Sequence, residues 1–207
     1  MRFRDRAEAG RELAEALAKY RGADAVVYAL PRGGVVVGYE VAKTLSLPLD
    51  IVIARKIGHP HNPEYAVCAV TEDGALICDE NERRQLPEAW LQDAAEHERA
   101  EALRRRNAYG AGRARTSARG KTALLVDDGI ATGLTMRAAL AGLRKEAPAR
   151  IVVASPCAPA DVAASLRREA DDVVILTGED GYAGAVGAYY EDFPQTSDAE
   201  VIRLLLS

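Results

Sequence analysis

Apolar positions along the chain follow two alternating periods. Residues 5 to 20 place Ala9, Leu13, Ala16, Leu17 and Tyr20 on one side at helical spacing, which predicts an opening amphipathic helix. AVVYAL (25 to 30) reads as a buried strand. PRGG follows, then VVVGYEVAKTL, where Val35, Tyr39 and Ala42 recur at helical spacing, and Pro48 introduces a second apolar strand, LDIVIA (49 to 54). YAVCAV and ALIC, joined by TEDG, predict a hairpin turning at Asp73-Gly74. Residues 86 to 108 predict a charged, solvated helix with Pro87 in its first turn and Glu101 four residues before Arg105. GAGRARTSARG (110 to 120) has no apolar period and reads as a mobile loop.

Alternation then resumes: strand KTALLVDD, helix LTMRAALAGLRKE, strand RIVVAS, helix PADVAASLRREA and strand DDVVIL. Continuous apolar strands interleaved with helices predict an α/β fold, a doubly wound, mostly parallel sheet with helices on both faces. The stretch from Thr177 is rich in Gly and Tyr and ends in SDAEVIRLLL, where Ser197 and Glu200 have capping-box spacing. The expectation is a single domain over 1–207, with 56–120 a hairpin, helix and flexible-loop insertion and 177–207 a hood and C-terminal segment.

Composition narrows the partners. The chain has 207 residues, 48% of them hydrophobic, and a net charge of −4, so it lacks the basic surface that would grip a nucleic-acid backbone. No apolar run is long enough to span a bilayer, and Met1 leads into a charged segment rather than a signal peptide, so a cytoplasmic protein without a membrane partner is expected. Cys68, Cys78 and Cys157 are odd in number and lack CxxC spacing, and are expected as buried thiols rather than a disulfide framework or zinc site. His59 and His61 flank Pro60 in a loop, and His97 lies in the charged helix; all three read as surface residues.

The chemistry concentrates in LLVDDGIATGLT (124 to 135). Ala123 to Val126 deliver Asp127 and Asp128 to the carboxyl end of a strand, where open α/β sheets place ligands. Gly129, Ile130, Ala131, Thr132, Gly133, Leu134 and Thr135 turn the chain into a helix whose first amides are free to donate to a phosphate. Two carboxylates suit the vicinal diol of a ribose, and Thr132 and Thr135 add hydroxyl donors. On its own, a pair of acids at a strand end is more often a simple helix cap. Competing motifs fail on spacing: RGKT (119 to 122) would need a glycine where Arg115 stands, and neither GxSxG nor HExxH is present.

PRGG (31 to 34) sits after the first strand, on the same sheet edge. There Arg32 offers a fixed fork of donors, and Gly33 and Gly34 expose backbone amides at a helix start. Arg55 and Lys56 close the second strand at that edge; their side chains point to opposite faces, so one alone faces the site.

The complete string LLVDDGIATGLT closely resembles the diphosphoribosyl-pyrophosphate (PRPP) loop of type I phosphoribosyltransferases, and PRGG and ARKIG resemble that family's pyrophosphate-binding segments. The resemblance implies a Mg²⁺-dependent transfer of ribose 5-phosphate from PRPP to a nitrogenous base or similar small nitrogen acceptor, with release of pyrophosphate. It implies catalytic roles for Lys56, Asp127 and Asp128, and substrate binding by Arg32, Gly33, Gly34 and residues 129 to 135. Magnesium would be held through PRPP and water rather than by direct protein ligands. In this family the PRGG loop often contains a non-proline cis peptide. Ala131 stands where 6-oxopurine enzymes carry an acid, which disfavours a 6-oxopurine without establishing adenine.

Tyr182, Tyr189, Tyr190 and Phe193 are the base-stacking candidates, with core packing the more common fate for at least two of them. The 86 to 108 helix, surplus to the family core, has two roles open to it: a cover for the site or the interface of a homodimer. The alternative reading is a non-catalytic regulatory protein binding PRPP or a nucleotide on the same fold, and a weaker one is a binder of another phosphorylated sugar.

Overall fold

The structure, a computed structural model, describes residues 2–110 and 114–207. In chain order it contains α1 (Arg6–Ala16), β1 (Ala25–Ala29), α2 (Gly33–Leu45), β2 (Leu49–Ile51), β3 (Ala54–His59), β4 (Asn62–Thr71), β5 (Leu76–Cys78), α3 (Glu80–Arg83) and α4 (Glu88–Gly110). These are followed by β6 (Thr122–Val126), α5 (Leu134–Arg144), β7 (Arg150–Cys157), α6 (Ala160–Glu169), β8 (Asp172–Thr177) and α7 (Asp198–Leu206).

Five strands form a central sheet in the order β2-β1-β6-β7-β8, every pair parallel. The side-chain period of two splits each strand between two cores. Val26 and Tyr28 of β1 join Met136, Leu140 and Leu143 of α5 and Leu166 of α6 on one face. Val27 joins Leu13 of α1 and Val37 and Val41 of α2 on the other. The expected doubly wound α/β sheet is therefore present, with α1 and α2 on one side and α5 and α6 on the other.

Local rules account for the helix ends. Asp5 accepts from the Glu8 amide at 2.8 Å ahead of α1, and Ser197 Oγ accepts from the Glu200 amide at 3.1 Å, as the capping spacing predicts. One expected apolar position fails: Ala16 is exposed, and Ala14 is buried in its place.

Further expectations are corrected. LDIVIA is not one strand: β2 stops at Ile51, Val52 and Ile53 bridge, and Ala54 begins β3 of a separate antiparallel sheet ordered β3-β4-β5. The predicted hairpin around Asp73-Gly74 is present as β4 and β5, with a hairpin of β3 and β4 added before it. Cys68 and Cys78 are not thiols but a disulfide, because they are register partners on β4 and β5, equidistant from the Asp73 turn; Cys157 remains free and buried.

Within the expected mobile loop, Gly110 ends α4 and residues 114 to 120 make contacts with the rest of the chain. Thr116 N donates to Asp50 at 2.6 Å, Tyr28 Oη donates to Thr116 O at 2.7 Å, Ala118 is buried and Arg115 pairs with Glu146 at 2.5 Å. Residues 111 to 113 lie outside the described residues. Among the described residues no helix is long and apolar enough to cross a membrane.

Candidate functional site

The carboxyl ends of β1 and β6 and the start of β3 converge on a cavity of about 450 Å³. Its lining includes Arg32, Gly33, Lys56, Asp127, Asp128, Gly129, Ile130, Ala131, Thr132, Gly133 and Thr135, so most of the residues nominated from the sequence meet in one place. None of residues 114 to 120 lines it.

The acid loop is built by strand β6 ending and helix α5 beginning eight residues later. Ile130 N donates to Cys157 O at 2.9 Å, and the Asp128 amide donates to Asp127 Oδ1 at 2.8 Å, which fixes the loop against β7. Gly133 caps α5 with φ of 77°, a conformation that residues with a Cβ rarely adopt. Arg137 N bonds back to Gly133 O, whereas the amides from Ala131 to Met136 have no backbone acceptor among the described residues. Those amides, with the exposed Thr132 hydroxyl, form the donor array of an anion site. Leu134 departs from the expectation: it is buried and packs against Ala69 and Ala138 rather than lining the cavity.

The PRGG turn lies beside this loop. The Pro31-Arg32 peptide is cis, and Gly33 and Gly34 begin α2. Gly33 permits a close approach: a Cβ there would fall 1.9 Å from Asp128 Oδ2 and 2.7 Å from Arg6 Nε. Gly34 is buried beneath Asp127 and does not line the cavity. Arg32 reaches Asp198 of α7 at 3.6 Å, and that carboxylate also accepts from Tyr109 Oη at 2.7 Å.

Both residues that end the expected second strand line the cavity, although they open β3 instead. Arg55 is tied to Glu98 of α4 at 2.5 Å, whereas Lys56 is exposed and carries no ion pair among the described residues. Lys56 thus lines the cavity without an ion-pair partner among the described residues.

Electrostatics set the two acids apart. Burial and the adjacent Asp128 carboxylate push the Asp127 carboxyl well above the usual carboxylate range, with the Lys56 ammonium among the opposing influences. Asp128 is engaged by a residue that sequence reasoning did not single out: Arg6 of α1 donates Nε to its Oδ2 at 2.6 Å. Burial and the two carboxylates raise the Cys157 thiol to about 12, so it stays neutral.

The aromatic residues of the hood divide by burial. Tyr189 and Tyr190 are core residues; Tyr189 Oη accepts from Ala183 N, and Tyr190 Oη donates to Asp128 O at 2.5 Å. Phe193 is half-buried, stacked on Tyr190 at 4.7 Å between centroids and covered by the Arg6 guanidinium at 3.7 Å. Tyr182 packs near Tyr189. None of the four lines the cavity, and the hood residue that does is Val186, which no motif or period in the sequence marks.

No cage for a metal accompanies the pocket: among the described residues there is no group of three or more His, Cys, Asp or Glu side chains placed to hold an ion. An open, acid-edged cavity with few protein donors fits magnesium arriving on ligand phosphates, since that ion keeps its waters and takes few carboxylates.

The family model of the phosphoribosyl transferase domain matches residues 4–192. A Mycobacterium tuberculosis protein provisionally named a phosphoribosyl transferase is 42% identical over 205 residues, covering 98% of this chain and 46% of that protein. Its counterpart from another strain of that organism gives the same figures, so the chain spans about half the length of the curated relatives it matches. The crystal structure of the Thermus thermophilus protein TT1426 superimposes with a TM-score of 0.83 at 44% identity, covering 100% of this chain and 98% of that one. With the family model matching most of its length, the chain belongs to the phosphoribosyl transferase domain family.

Proposed function

We propose that the chain is a magnesium-dependent phosphoribosyltransferase that moves ribose 5-phosphate from PRPP to a small nitrogen acceptor and releases pyrophosphate. The observation that carries this reading is the convergence of three separate turns, PRGG, the start of β3 and the acid loop, on a single cavity.

Each group has a task in that reaction. The amides of residues 131 to 136 and the Thr132 and Thr135 hydroxyls take the 5-phosphate at the start of α5. Asp127 and Asp128 accept from the ribose 2- and 3-hydroxyls. Arg32, Lys56 and the backbone of Gly33 take the diphosphate on C1. As the acceptor nitrogen approaches C1, the bond from C1 to the diphosphate breaks and its electron pair leaves with pyrophosphate; positive charge develops on the ring carbon and oxygen. Lys56 and Arg32 then offset the leaving charge, and the fixed sugar keeps C1 between nucleophile and leaving group. Magnesium bound through the diphosphate would neutralise part of that charge. No covalent enzyme nucleophile enters.

Val186 is the hood side chain facing the acceptor end. The test is to incubate the protein with Mg²⁺, PRPP and a panel of purines, pyrimidines and simple amines while measuring pyrophosphate. Acceptor-dependent pyrophosphate release supports the reading. Tight PRPP binding with no release from any acceptor favours the regulatory alternative.

A further inference from the structure

Arg6 lies 122 residues from Asp128 in sequence, yet their side chains meet at 2.6 Å with only 11% and 15% of their surfaces exposed. The same guanidinium donates Nη1 to Pro194 O at 2.7 Å and lies 3.7 Å over the Phe193 ring. Phe193 in turn stacks on Tyr190, whose hydroxyl holds the Asp128 carbonyl. Gly33 of the PRGG turn lacks a side chain where Arg6 and Asp128 come together. Four separate segments are therefore joined through one arginine: the first turn of α1, the PRGG turn, the acid loop and the chain leading into α7.

We propose that Arg6 is a positioning residue that sets the sugar specificity of the pocket, which rests on the ribose reading above. A carboxylate turns easily about its last torsion, and a diol is read only when the acceptor oxygens are held in place. By engaging Oδ2, Arg6 fixes the plane of the Asp128 carboxylate and leaves Oδ1 for the sugar. Only a guanidinium can serve here, because it donates in two directions in one plane while stacking on Phe193; a lysine supplies charge without the planar fork.

The test compares ribose 5-phosphate, 2-deoxyribose 5-phosphate and magnesium pyrophosphate by calorimetry in wild type, Arg6→Met and Arg6→Lys. Wild type is expected to prefer ribose 5-phosphate. Arg6→Met should weaken ribose 5-phosphate by about tenfold or more, the size of a lost charge-assisted contact, and bring the two sugars to nearly equal affinity. Pyrophosphate, whose hosts are Arg32 and Lys56, should bind as before. Arg6→Lys should recover part of the preference, and it carries the test alone if Arg6→Met does not fold. Undiminished preference for the 2-hydroxyl in both folded variants overturns the role, as does an equal loss for all three ligands, which marks a purely structural arginine. A wild type that binds pyrophosphate but neither sugar overturns the ribose reading and this role with it.

Discussion

Replacing Gly33 with alanine sets two effects of opposite sign against each other. Gly33 opens α2 at a backbone conformation open to any residue, so helix propensity alone predicts that alanine stabilises the protein by up to about 1 kcal/mol. Sterics predict the reverse. The new methyl would sit 1.9 Å from Asp128 Oδ2, where ordinary contact begins at 3.4 Å, so the carboxylate must retreat by more than an ångström. Retreat breaks the 2.6 Å pair with Arg6, worth roughly 1.5–3 kcal/mol as a charge-assisted bond, and forced repacking adds about 1–3 kcal/mol. The steric terms win, for a net loss of roughly 1.5–5 kcal/mol and at least about a tenfold loss of ribose 5-phosphate affinity. Urea unfolding measures the first and calorimetry the second. Gly181→Ala is the control, since a methyl there meets nothing within 4 Å and should cost under about 0.5 kcal/mol. A Gly33→Ala protein as stable and as avid as wild type would show that Asp128 is not held as described.

Arg32→Ala should weaken pyrophosphate and PRPP by roughly 1.5–3 kcal/mol while changing the affinity of a nucleoside 5-monophosphate much less; calorimetry with all three ligands checks this. Asp127→Asn should raise the melting temperature at pH 7 while weakening sugar binding. A carboxyl raised in the folded state imposes a penalty that is absent below its unfolded value near 3.8 and grows as pH rises towards the folded value, so the gain should vanish in melts near pH 3.5. Asp50 is buried, pairs with Arg106 at 2.6 Å and accepts from Thr116 N, away from the cavity. Asp50→Ala should therefore cost about 3–5 kcal/mol in urea unfolding, leaving Arg106 uncompensated, with ligand affinity unchanged in the folded fraction.

What could be read from the sequence follows from how local the responsible physics is. Strands β1, β6 and β7 are continuous apolar runs because both sheet faces are covered, and the acid loop is a contiguous string, so both could be read directly. Features set by register or by distant contact could not. Nothing in LDIVIA marks the residue where the chain leaves one sheet for another, since Val52 and Ile53 remain buried across the break. Cys68 and Cys78 could have been paired by counting outward from the Asp73 turn, but CxxC spacing does not test for a cross-strand bridge. The glycines and arginines of 110 to 120 suggested mobility, whereas Asp50, Tyr28 and Glu146 supply partners from elsewhere in the chain to residues 114 to 118. No motif or period singles out Arg6, because its partner Asp128 lies 122 residues away. Tyr189 and Tyr190 are core, the fate expected for at least two of the four hood aromatics, but which two depends on packing that no local spacing marks.

The central claim is that the acid loop holds the ribose of PRPP. Titrating PRPP with Mg²⁺ into wild type and into the double variant Asp127→Asn, Asp128→Asn, with circular dichroism to establish that both are folded, tests it most directly. The account predicts clear binding to wild type and a loss of a hundredfold or more, about 2.7 kcal/mol, in the double variant. Equal affinity in a folded double variant would contradict it.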